Sequence, residues 1–447
     1  MSLLLALTPR QLSMSTSVEH TKCPVTEKTY RETRKRAITI IILCAFFLFF
    51  KYLMQVSPSV ITDQLMAEFH LQGVGLGILG SSFFWSYLIA QLFCGWLLDS
   101  FSIRWLCTAA ILVSTAGLVM FSETSVFFFT IIGRVLMGAG AAFATVSYMK
   151  LTANWFRPKH FAMISGFVAT AAMIGAIFGD APLGHLAKHL GWRPAMNICT
   201  AIGIALAVLF AWIVRDEPDA VIHQGESPAT SHIVRLKDLG TILKNPNNWL
   251  LMFYTGLAFS PVSVFAGLWG NPFLMQVYDI SGSTLHWFTS FIFAGLAVGA
   301  PVLGYIADKL GRRKLVMIAS ALISLAALIN IIYGTNQPHW LLAFTMFVFG
   351  FMSGSFMLGF AIGKEINPIA FAATVVAVIN TGDPIVGSWA EPLIGKILDH
   401  TWNHVSHNGV RIFTTHGYHL ALSSLVVYLI LTCIIVMCLK IKKPDES

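Results

Sequence analysis

Between Ala373 and Lys396 the chain reads ATVVAVINTGDPIVGSWAEPLIGK, an apolar run interrupted by Asp383 before Pro384 and Glu391 before Pro392. Proline has no N–H and clashes with the carbonyl four residues earlier, so each acid sits beside backbone freed from its helix bond. A carboxylate in such a place can bind a cation or take up and release a proton, and Asn380 adds an amide one turn away. The opposite charge comes from Lys51 in FKYLMQVSPSV, together with the polar Tyr52 and Gln55 just ahead of Pro58. Arg134 stands alone in GRVLMGAGAA, and GLWGNPFL supplies Trp269 as an aromatic wall and Asn271 as an amide before Pro272. Plainer readings stay open for each. Lys51 could snorkel to headgroups, Asp383 and Glu391 could be paired with Lys51 or Lys396 for structure alone, and Trp269 could pack a helix end.

These charges are set in 447 residues that are 56% hydrophobic and 11% charged, against roughly 25% charged in a soluble domain. Apolar runs of about 20 residues with few charges are read as membrane spans. They fall near 37–60, 72–98, 105–121, 125–149, 161–182 and 194–214, then near 247–273, 285–308, 315–334, 339–362, 369–397 and 417–439. The expected fold is an all-α polytopic membrane protein with twelve transmembrane helices in two pseudo-symmetric six-helix bundles, 37–214 and 247–439. A polar linker at 215–246 joins them, and tails at 1–36 and 440–447 flank them. A charge at the bilayer centre costs about 2.5–3.5 kcal/mol on insertion scales, so every intramembrane charge needs a partner or a task.

Of the 29 Lys and Arg residues, 23 fall in the tails and the loops of one side, and Lys188, Arg193 and Arg411 in those of the other. By the positive-inside rule both termini are expected in the cytoplasm. The same distribution explains the net charge of +8 by membrane orientation, with no nucleic-acid partner. The seven cysteines have no paired spacing and read as small apolar residues. GLGILG at 75–80 satisfies a dinucleotide pattern but lies in an apolar helix with no preceding strand. His185 and His189 have a metal-like spacing without the accompanying glutamate. No cofactor, metal site or catalytic set is expected, so an enzyme is not.

The short turn GWLLDSFSIRW at 95–105 is repeated at the same place in the second half as GYIADKLGRRK at 304–314. With GRVLMGAGAA in the fourth span, this repeated turn resembles the major facilitator superfamily of secondary transporters. The resemblance implies that Asp99 and Arg104, and Asp308 with Arg312 and Arg313, belong to a gate-linked turn motif. Ser102 replaces a glycine usual in the family, which would weaken the first copy as a latch. It also implies that Arg134 bears on proton movement or on helix packing. FKYLMQVSPSVITDQL, LTANWFRPKHFA, FAGLWGNPFL and EPLIGKILD are similar to a bacterial branch that includes phagosomal amino-acid and nucleoside importers of intracellular Gammaproteobacteria.

What the resemblance implies is a monomeric secondary active transporter in the bacterial inner (cytoplasmic) membrane, working by alternating access. The expected activity is proton-coupled import of a small polar metabolite such as an amino acid, with the lipid bilayer, the substrate and protons as its partners. Lys51 would meet a carboxylate, and Asp383 or Glu391 an amine or the coupling proton. Import of an organic anion or nucleoside, or export of a siderophore or drug, are the alternatives. Gly175 is followed by Ala176 rather than the proline of proton antiporters, which disfavours efflux. Asp180, at the end of the fifth span, reads equally as a proton site or a solvated helix end. Ten of the fourteen histidines, five of them between 400 and 419, map to the side opposite the termini.

Overall fold

A computed structural model describes residues 27–156, 160–217, 242–281, 283–334, 337–367, 372–407 and 409–439. Most of the two tails and most of the central linker lie outside these residues. In hydrocarbon every backbone N–H and C=O must be satisfied within the protein, so a spanning segment becomes a helix. Twelve do. Span 1 (Glu27–Val56) begins ten residues before the expected bundle start, then turns through Ser57–Val60 into a short helix, Thr62–Phe69. Span 2 is Gly73–Ser100, span 3 Ile103–Glu123, span 4 Phe127–Trp155 with a bend at Ala142, and span 6 Trp192–Ile213. Span 5 comprises Phe161–Phe178 and the helix Ala181–Leu190.

In the second half, span 7 (Pro246–Val277) carries a π-helical turn at Phe265–Trp269, shortly after Pro261. Span 8 is Ser283–Leu310, span 9 Arg313–Tyr333, span 10 His339–Glu365 and span 12 Thr415–Cys438. Eleven of these are long and apolar enough to cross a bilayer, by length and composition alone. Span 11 is the twelfth, and it is divided at Thr381 into Ala372–Asn380 and Gly382–His400. Its second piece holds Asp383, Glu391, Lys396 and Asp399, the density of charge that sets it apart from the others. A two-stranded hairpin, Ser406–His407 with Val410–Arg411, follows it.

The spans of each half pack mainly on one another, span 3 against spans 4 and 6 and span 8 against span 10. The halves meet where span 2 packs along span 11, span 5 along span 8, and the end of span 1 against the π-helical turn. Lipid tails are as apolar as the core, so close packing rather than escape from water holds these helices together. Gly77 shows how close: a Cβ there would stand 2.7 Å from the Pro392 Cα of span 11. The face bearing the start of span 1 and the end of span 12 is called the near face below, and the opposite one the far face.

Candidate functional site

A small cavity lies between the halves. Span 1 lends it Lys51, Tyr52 and Gln55, and span 11 lends it Asn380, Asp383 and Pro384. Five of the residues singled out from the sequence therefore converge although they come from opposite ends of the chain. Lys51 is buried, with its Nζ 3.6 Å from the centre of the Tyr52 ring and 5.1 Å from that of Tyr87. Aromatic faces attract a cation electrostatically, so the ammonium is held in the cavity and does not snorkel to headgroups.

Asp383 faces it from the first turn after the break in span 11. The hydroxyls of Ser260 and Ser263 donate to its Oδ1 at 3.1 and 2.9 Å. Among the described residues Oδ2 receives no hydrogen bond, and the carboxylate is close enough to Lys51 for the two charges to interact. The local backbone explains the placement. Gly382 has no side chain to keep span 11 from span 7, and a Cβ on Gly256 would lie 2.5 Å from the Gly382 carbonyl oxygen. Asn380 reaches the Tyr87 hydroxyl at 3.4 Å, a link across the halves. The rest of the lining is largely aromatic, including Phe83, Phe84, Phe259, Phe356 and Phe360. The site thus offers one cation, one anion, a few hydroxyls and amides, and apolar walls.

The other expected site residues lie elsewhere. Arg134 is buried behind span 1, donating from Nη1 to the Met54 carbonyl at 2.9 Å and from Nη2 to that of Gln55 at 3.4 Å. Pro58 cannot donate to the Met54 carbonyl four residues earlier, so the guanidinium completes a bond the proline removes. Its charge interacts with that of Glu391. Glu391 lines the seam between spans 2 and 11 rather than the cavity, with Oε2 pressed against Gly80 and without a hydrogen-bond partner. Trp269 is fully buried in the π-helical turn and forms no wall of the cavity. Asn271 also misses it, donating to the Ser59 carbonyl at 3.2 Å and to Asp180 Oδ1 at 3.1 Å. Asp180 is fully buried, so it is no solvated helix end.

The two copies of the repeated turn differ. In the second, Gly311 takes φ +60°, and Arg313 binds both Asp308 at 2.8 Å and Glu365 at 2.5 Å. In the first, Ser102 has φ −59° and no left-handed turn is made. Arg104 reaches span 6 instead, its Nε donating to the Ala211 carbonyl at 2.5 Å. Asp216 accepts from the N–H groups of Ile103 and Arg104, capping span 3. The side chain of Asp99 lies outside the described residues. Arg312 occupies the N-cap of span 9, with no side-chain bond to that helix.

Sequence reading missed Ser260 and Ser263 (which hold Asp383), Tyr87 and Thr145 of the cavity lining, and Asp216 and Asp399 at helix ends. A signal existed for the first two: FSPVS at 259–263 places two hydroxyls beside a proline in an apolar span. The others carry no local mark.

Twelve spans in two six-helix halves, with a cavity that holds charged groups between them, have the architecture of a secondary membrane transporter. The chain belongs to the major facilitator superfamily, whose family model matches residues 38–273 and 251–447. It is 24% identical over 443 residues to the probable L-galactonate transporter of Escherichia coli (strain K12), covering 94% of this chain and 93% of that one. It is 22% identical over 326 residues to the lysosomal dipeptide transporter MFSD1 of Danio rerio, covering 69% and 67% respectively. The crystal structure of a bacterial homolog of the human lysosomal transporter Spinster, inward-facing and occupied, superposes with a TM-score of 0.73 at 16% identity over 90% of this chain and 96% of that one.

Proposed function

We propose that the protein imports a small zwitterionic metabolite, such as an amino acid, together with protons. The observation that carries this reading is the pairing of Lys51 and Asp383 across one cavity, with the second carboxylate oxygen left without a donor among the described residues. Lys51 meets the substrate carboxylate and Asp383 its ammonium, while the phenylalanine walls take an apolar side chain. Proton coupling uses the carboxylates within the spans, which exchange a proton as the halves rock between opposite openings. Orientation follows the cation distribution, with both termini in the cytoplasm and the protein acting as a monomer in the bacterial inner membrane.

A second reading, import of an organic anion, is favoured by Lys51 and by relatives such as the probable L-galactonate transporter. The two differ in the need for an amine. Uptake of radiolabelled amino acids, sugar acids and nucleosides into proteoliposomes, with and without an inward proton gradient, tests both. The zwitterion reading expects accumulation of at least one amino acid that Asp383→Asn reduces at least tenfold. Uptake of sugar acids alone, untouched by Asp383→Asn, would favour the second reading instead.

A further inference from the structure

Asp180 stands at the join between the two pieces of span 5, in the N-cap position of the helix Ala181–Leu190. An aspartate there ordinarily accepts from the backbone of its own helix. This one does not, and Pro182 leaves the second helical position without an N–H. The side chain turns across the far face into the other half. Its Oδ1 accepts from Asn271 of span 7 at 3.1 Å, and its Oδ2 from the hydroxyls of Thr289 and, at 3.3 Å, Ser290 of span 8. His286 of span 8 places Nδ1 3.7 Å from Oδ1. The imidazole lies over bare backbone of the first half, since a Cβ on Gly184 would come within 2.7 Å of its Nε2.

The carboxylate is 0% exposed and the imidazole 12%. A buried carboxylate with no cation beside it is costly, whereas a carboxylic acid, or a carboxylate facing an imidazolium, is not. Either favourable arrangement contains one proton. The hydrogen bonds accept both: Thr289 donates to an ionised Oδ2 or accepts from a protonated one, and its own proton then has the Asn271 carbonyl oxygen at 3.1 Å and the His286 carbonyl at 3.2 Å to choose from. Other titratable groups do not supply the charge. His185, Lys188 and His189 on the Ala181–Leu190 helix are exposed to solvent, the turn after span 1 and span 7 present only Ser59 and Asn271, and His339 stacks on Phe288 farther along.

We propose that Asp180 and His286 form a one-proton site at the far gate, and that the gate closes with this proton bound. When the halves part on the far face, Asp180 meets the solution there. A proton taken up by the carboxylate, or by His286 beside it, lets the cluster be buried without a net charge, so far-side acid favours closure. The inference rests on the rocking of the two halves and not on the substrate, and its test uses none.

The test is the distance between spin labels at Ser125→Cys and Trp340→Cys, one exposed far-face position in each half, measured by double electron–electron resonance in lipid nanodiscs. Cys438→Ser removes the one exposed cysteine among the described residues, and Cys23→Ser removes the one outside them. Between about pH 8 and pH 6.5 the ratio of closed to open far gate should rise with a slope approaching about tenfold per pH unit, that of a single linked proton, and should level off at lower pH, where a solvated imidazole holds a proton in the open state as well. Asp180→Asn, which is neutral and of the same size, should leave the ratio flat and closed. His286→Gln and Thr289→Ala should keep the slope but move its midpoint. A flat profile in the parent protein, or a full slope in Asp180→Asn, overturns the proposal. Should Asp180→Asn fail to fold, midpoints unchanged in both other variants overturn it equally.

Discussion

The near and far faces of this transporter are held together by different means. On the far face polar bonds cross from one half to the other. Asp399 of span 11 accepts from the N–H groups of Gly73 and Val74 at the start of span 2, both at 2.8 Å, and Asp180 accepts from spans 7 and 8. On the near face several side-chain bonds lie within a half. Lys150 donates to the Leu98 carbonyl, Asn154 and Trp155 to the chain just after span 6, and Lys314 to the end of span 12. The far face is therefore latched across the interface, and on the near face each half carries bonds that brace its own rim. If the halves rock as proposed, bonds within a rim survive the motion and bonds across the interface must be exchanged.

The strongest challenge to this comparison is Gly395→Val. The Cβ would press on the Gly73 carbonyl, and backbone cannot move aside as a flexible side chain can. Overpacking of this kind costs about 1–3 kcal/mol, all of it charged to the closed far face. We expect a population shifted to the far-open state by roughly tenfold or more, read by labelling of far-face cysteines. A closed population like that of the parent would show that spans 2 and 11 do not control the gate.

Asp399→Asn comes next. It weakens two charge-assisted bonds to span 2 and the ion pair with Arg411 at 3.0 Å. Bonds to a charged group contribute about 1.5–3 kcal/mol each, and an amide retains part of that, so a loss of about 1–2 kcal/mol from the closed state is expected. The sharper readout is a double-mutant cycle with Gly395→Val, whose non-additivity should exceed about 0.5 kcal/mol because both act on one contact.

Near-face changes should behave otherwise. Asp216→Ala removes the cap of span 3 and should lower thermal stability by about 1 kcal/mol, with the far-gate equilibrium unmoved when the same spin labels are compared. The smallest effect is expected for Arg313→Gln, which cuts the links to Asp308 and Glu365, both more than half exposed. Exposed ion pairs contribute about 0–1 kcal/mol. Interconversion rates should change by no more than a few-fold, measured by single-molecule fluorescence. A shift of the far-gate equilibrium by either variant would mean that the rims are coupled to the opposite latch.

Much of this architecture was legible in the chain. Length, apolar runs and the repeated turn determine twelve spans in two halves, since lipid admits few other solutions for such a sequence. Lys51 and Asp383 also announced themselves, because charge in an apolar run is rare enough to be conspicuous. Burial was another matter. Trp96 is 64% exposed and Trp269 0%, yet both sit in equally apolar surroundings in sequence. With hydrocarbon outside and hydrocarbon inside, hydropathy carries no contrast between a lipid-facing residue and a core one.

The sequence by itself thus determined which charges enter the membrane and how many helices carry them there. Only the tertiary structure decided which of those charges share a site. Lys51 met Asp383 while Glu391 was turned into the seam with span 2, and Asn271 was drawn from the expected cavity to the far gate by Asp180, 91 residues away in the chain. The physical reason is that helix packing in lipid depends on where glycines allow close approach and where prolines release carbonyls. Those effects become pairings only when two distant spans are brought side by side.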